Sequence, residues 1–76
     1  MFGYKSYRFS MAVTKEQLLN VYSGAIKRFR VRSVEGLVLD IDAKHLRQFT
    51  TEDGIYGIFE LTTTSDNKFL KITKIG

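Results

Sequence analysis

The sequence predicts a small α+β domain, either a strongly bent antiparallel sheet or a near-closed barrel of about five strands, with one short helix. The predicted order is strand, helix, then four strands. Three observations carry this. Apolar and polar residues alternate with period two near the start of the chain and again in its second half. A single stretch, TKEQLLNVYSG at 14–24, has helical spacing instead. The strand-like runs that follow are separated by turn sequences short enough for hairpins.

The elements are justified in order. In YKSYRFSMAV (4–13), Tyr7, Phe9, Met11 and Val13 fall on one face and Ser6, Arg8, Ser10 and Ala12 on the other, as in a half-buried strand. Thr14 is a good N-cap and Gln17 stands three residues on, the pattern of a capping box. Leu18, Val21 and Tyr22 recur at helical spacing with Leu19 at the margin, and Gly24 is placed to close a helix over 15–23. So short a helix stands only by packing on a core.

The stretch IKRFRVRSVEGLVLDID (26–42) predicts a hairpin of strands 25–33 and 37–43. Its core candidates, Phe29, Val31, Leu37, Leu39 and Ile41, share a face only if the connecting loop has three residues. A loop Val34–Glu35–Gly36 meets that condition and places Gly36 where such a loop needs a left-handed residue. Val31 then faces Leu39 and Phe29 faces Ile41. On the other side Arg30 faces Asp40 and Arg28 faces Asp42, so the hairpin answers much of its own positive charge, and Arg32, opposite Val38, has no acid directly across.

The alternation stops in KHLRQFTTEDG (44–54), where Leu46 and Phe49 suit a tight helical turn pinning a crossover to the core. Strand 55–64 presents Ile55, Phe59 and Leu61 on one face. Gly57 between them marks a bulge, a bend or a close backbone approach. Ser65-Asp66-Asn67 reads as a turn into a last strand, 68–75, with Leu61 expected opposite Leu70, Phe59 opposite Ile72 and Glu60 opposite Lys71.

The 76 residues suffice for a single domain, 1–76, with little room for a deep pocket. No cysteine is present, which excludes a disulfide scaffold, a thiolate metal site and a cysteine nucleophile. No run approaches a membrane span, and Lys5 and Arg8 interrupt any signal-like apolar core at the start, so the expected setting is cytoplasmic. A net charge of +4 permits an acidic partner without requiring one.

YRFS at 7–10, VRSVEG at 31–36, LRQF at 46–49 and DGIYGIF at 53–59, taken in order and spacing, make the chain resemble a family of short bacterial proteins of unknown function, met mostly in gammaproteobacteria. LRQF carries Gln48 where the family pattern has proline. The resemblance covers most of the chain. It implies a bacterial cytosolic setting, and neither an activity nor a catalytic residue.

The chemistry-bearing residues are sparse. His45 is the single histidine and sits between Lys44 and Leu46 with Arg47 close by, which reads as an exposed loop histidine rather than a base or a zinc ligand. Asp40 and Asp42 share a face, but the facing arginines account for them without a cation. Glu52-Asp53-Gly54 lacks the rest of a calcium loop, and the glycines are too scattered for a phosphate loop. No enzyme, cofactor or metal is expected. The favoured expectation is a protein-interaction or oligomerisation module, using the apolar residues assigned outward, Val38, Ile58, Phe69 and Ile75, and the free strand edges. The alternative is weak nucleic-acid binding through Lys27, Arg28, Arg30 and Arg32, with Tyr7, Tyr4 or Tyr56 for stacking.

Overall fold

A computed structural model describes residues 3–76. It has five strands, one α-helix and two short 3-10 turns: β1 (Tyr4–Thr14), α1 (Lys15–Tyr22), β2 (Arg28–Arg32), β3 (Val38–Asp42), turns at Ala43–His45 and Arg47–Phe49, β4 (Gly54–Thr64) and β5 (Phe69–Lys74). The strands form two antiparallel sheets, β1-β4-β5 and β2-β3. A backbone hydrogen bond from Val34 N–H to the Arg8 carbonyl (2.9 Å) hangs the hairpin on the edge of β1. That bond comes from the hairpin loop and not from β2, so the two sheets stay separate, and no ladder joins β5 to β3. The small α+β domain of about five antiparallel strands and one short helix is as expected, and of the two forms expected, bent sheet or near-closed barrel, it takes neither closure nor a single sheet.

The long axis of 42 Å is set by β1 and β4, which pair over eleven residues from Tyr4↔Thr64 to Thr14↔Gly54. A strand of that length spans about 36 Å at 3.3 Å per residue. Odd-numbered residues of both strands face inward: Phe9, Met11, Val13, Ile55, Phe59 and Leu61 are all buried. Phe9 and Phe59 lie directly opposite each other and stack, with ring centroids 5.7 Å apart. Phe49 meets the edge of Phe59 at 5.0 Å, and Leu46, between the two 3-10 turns, is fully buried. Leu46 and Phe49 thus pin the crossover to the core, as their spacing predicted.

Helix α1 has the expected capping box. The Thr14 hydroxyl accepts from Gln17 N–H and the Gln17 side chain accepts from Thr14 N–H. Gly24 follows with φ 86°, a conformation open to glycine at little steric cost. Leu18 and Val21 are buried, but Tyr22, expected on the core face, is 58% exposed. With only two turns, the helix contacts the sheet along a stripe too narrow to reach Tyr22.

The β2-β3 register is the predicted one, Phe29↔Ile41 and Val31↔Leu39 inside, Arg28↔Asp42, Arg30↔Asp40 and Arg32↔Val38 outside. The loop is closed by Ser33 N–H to the Leu37 carbonyl (2.8 Å), and Gly36 has φ 88°. Ser33 is buried, and its hydroxyl accepts from Glu35 N–H and Leu37 N–H. Leu37, assigned to the core, is half exposed because β3 has a free edge.

The β4-β5 register differs from expectation by two residues: Leu61 faces Ile72, Glu60 faces Thr73 and Phe59 faces Lys74. The cause lies near the turn. Thr64 and Lys68 close a three-residue loop in which Asn67 has φ 67°, and Thr63 then pairs with Phe69. Leu70 is the extra residue of a bulge, so Thr62 pairs with Lys71. Without that bulge Leu61 would face a lysine. Gly57 marks a close approach, as expected of it. A Cβ there would lie 2.5 Å from the Gly76 carbonyl oxygen and 2.8 Å from Cε of Lys74.

Candidate functional site

The failure of β3 and β5 to pair leaves a cleft. It consists of two adjoining cavities of about 270 Å³ and 440 Å³ that share Asp40, Leu61, Thr63 and Asn67. Residues 37–42 line it without interruption. A strand whose face lined a cavity would contribute every second residue. An unbroken run means that the backbone edge of β3 borders the opening. Tyr7 and Leu61 of the large sheet form the floor opposite Leu39. At one end the His45 ring stacks on Phe69 at 3.7 Å, nearly parallel. This contact bridges the seam where hydrogen bonds do not, and it makes His45 a half-buried packing residue instead of the exposed loop histidine expected.

The carboxylates of the cleft are occupied from within. Asp40 Oδ1 accepts from Arg28 Nε at 2.9 Å, so the ion pair runs diagonally across the hairpin and not straight across to Arg30. Asp42 turns into the following bend and accepts from Lys44 N–H at 3.0 Å. That hydrogen bond, first, holds the Asp42 pKa below the ordinary 3.8, against desolvation and with help from the nearby charges of Lys44, Arg28 and His45. Asp66, at the β4-β5 turn, is likewise lowered, chiefly by the Thr64 hydroxyl. At the other end of the cleft Tyr7 Oη donates to Asn67 Oδ1 at 3.3 Å, with Lys5 Nζ at 3.5 Å from the same oxygen.

The predicted site residues are brought together only in part. Arg28, Arg30 and Arg32 share the outer side of the hairpin, and Lys27 is exposed just before it. Tyr7 faces the cleft on the inner side, away from Arg30 and Arg32, so the stacking ring and the full basic row do not form one surface. Among the described residues neither Arg30 nor Arg32 has a carboxylate within ion-pair distance. Of the apolar set, Ile58 and Ile75 are both exposed and adjacent in backbone, where Ile75 N–H donates to the Ile58 carbonyl at 2.8 Å, and Tyr56 is exposed on the strand of Ile58. Val38 lines the cleft and Phe69 lies under His45. The cleft itself had no signal in the sequence, because it lies between strands far apart in the chain. Among the described residues no group of three His, Asp or Glu is placed to hold a metal ion, and no helix is long and apolar enough to cross a membrane.

Two antiparallel sheets, with one short capped helix, define the class: a small α+β domain. The chain matches, over residues 5–75, the family described as Protein of unknown function (DUF2835), and it belongs to that family. No curated protein and no solved structure matches it.

Proposed function

We propose that this chain is a non-enzymatic protein-interaction module. The observation that carries the reading is the seam: the unpaired edge of β3 borders a cleft with an apolar floor along its whole length, and Phe69, at the start of β5, closes one end. Exposed edges offer a row of backbone donors and acceptors to any added strand, with side-chain pockets for selectivity. Affinity capture from a lysate of the native host, with and without nuclease, tests this. A protein retained after nuclease and lost on Val38→Glu, an exposed position lining the cleft, supports the reading. Retention of no protein by either the wild type or an Ile58→Glu control overturns it.

A second reading, weak nucleic-acid binding, is favoured by one observation: Asp42 is drawn into its turn and leaves the arginine row less neutralised than straight pairing would. With so few phosphate contacts, the log–log salt slope for single strands has an expected magnitude of about 2–3, at roughly 0.7 per contact. Fluorescence anisotropy at low salt checks it. Arg32→Glu is expected to weaken binding more than Arg28→Glu, because Arg28 is already held by Asp40.

A further inference from the structure

The free edges of β3 and β5 carry opposite charge. β3 carries Asp40 and Asp42, while β5 carries Lys71 and Lys74; Lys68, just before it, is held by Asp66 at 3.9 Å, and the Lys74 stem lies over Gly57 of β4, so Lys71 is the lysine left to the edge. Arg28 takes Oδ1 of Asp40 and leaves Oδ2 open, and the Asp40 side chain is 52% exposed. Lys71 stands outward opposite Thr62, with no carboxylate within ion-pair distance among the described residues. Lysines on an edge strand repel a second copy of the same edge, and like charges directly opposite destabilise a ladder. Pairing β5 with β5 would bring lysines together, and pairing β3 with β3 would bring aspartates together. Only the unlike edges attract.

From this charge pattern we infer that the occupant of the β3 edge is a second copy of this chain, docked by its β5 edge. The inference rests on the interaction-module reading and names its partner. The contact is head-to-tail, so each copy keeps one edge of each kind available. Repetition closes into a ring if the rotation permits and otherwise gives an open chain. The backbone supplies the adhesion and the charges select the partner, by attraction between unlike edges and repulsion between like ones. The His45–Phe69 stack covers the start of β5 and leaves Lys71–Lys74 as the stretch to be paired.

Sedimentation velocity from micromolar to near-millimolar protein tests the association. Reversible, salt-weakened assembly is expected. Lys71→Glu should raise the dissociation constant by about tenfold, equivalent to about 1.4 kcal/mol. Adding Asp40→Lys to that variant should restore part of the assembly, since the pair at positions 40 and 71 is then present with its charges exchanged. Asp40→Lys also removes the Arg28 contact, so circular dichroism checks the fold, and a second measurement uses the unaltered protein. A zero-length carbodiimide couples lysine to carboxylate in a mixture of isotopically heavy and light chains. Mixed-isotope peptides joining Lys68, Lys71 or Lys74 to Asp40 or Asp42 support the inference. Assembly indifferent to Lys71→Glu, or mixed-isotope peptides that join other surfaces, overturns it. So does a strict monomer. A strict monomer that still retains a foreign protein leaves the interaction-module reading standing, and one that retains nothing removes both.

Discussion

At the scale of single residues, Gly36 and Gly54 separate two reasons for glycine. Gly36 has φ 88° and nothing within 4 Å of where a Cβ would stand. Gly36→Ala therefore meets only backbone strain and should cost about 1 kcal/mol, with Gly36→Asn milder because Asn tolerates the left-handed region. Gly54 has φ 129°, and its Cβ would collide with the Val13 carbonyl, so Gly54→Ala should cost about 2 kcal/mol or more. Urea denaturation ranks the three. The ion pair gives a sharper check. Arg28 and Asp40 should couple by a few tenths of a kcal/mol in a double-mutant cycle, and Arg30 with Asp40 by nearly nothing. Asp42 predicts a pH effect. Its folded pKa is depressed, so its contribution is fully present above the unfolded value and is lost as pH falls through the folded one. Asp42→Asn should flatten the fall of the urea midpoint on acidification through the carboxylate range.

At the scale of elements, α1 depends on its cap. Thr14→Ala removes one half of the capping box and should cost about 1 kcal/mol, with Thr14→Ser retaining most of it, as thermal melts would report. This cap was legible because its two partners are three residues apart. The β2-β3 register was legible for a similar reason: side-chain parity and loop chemistry lie within one short window, and both demanded three loop residues. The β4-β5 register was not, because the bulge at Leu70 changes the count without leaving a turn residue to announce it. Strand parity survived the shift, so Ile72 still faces inward. Tyr22 and His45 were misplaced because their environments depend on distant segments, the end of the sheet for one and the first residue of β5 for the other.

At the scale of the whole molecule, a domain of this size has a thin margin, and its core has few substitutes for any member. Leu46 is fully out of solvent and packs with the cluster that joins the two sheets. Leu46→Ala should cost about 2–5 kcal/mol and leave the protein partly unfolded near body temperature, as urea and calorimetric unfolding would show. The α+β class and most residues of this core could be read from the chain, because burial follows local periodicity, while Tyr22, Leu37 and Leu70, also expected inward, are exposed. The candidate site could not. It exists where two remote strands fail to meet, and no window of sequence records an absent ladder.

The long ladder between β1 and β4 also sets the order of events in folding. The hairpin of β2 and β3 needs only neighbours and can close within microseconds. β1 has no such neighbour: Thr14 waits for Gly54, and Tyr4 for Thr64. During synthesis at about 5–20 residues per second, the first strand stays unpaired for seconds, its phenylalanine, methionine and valine side chains without a core. Its alternating serines and Arg8 keep that waiting strand from being a continuous apolar tract. Final assembly is then governed by the closure of the largest loop in the chain, a non-local step of the kind that makes small sheet proteins fold in milliseconds to seconds and not microseconds.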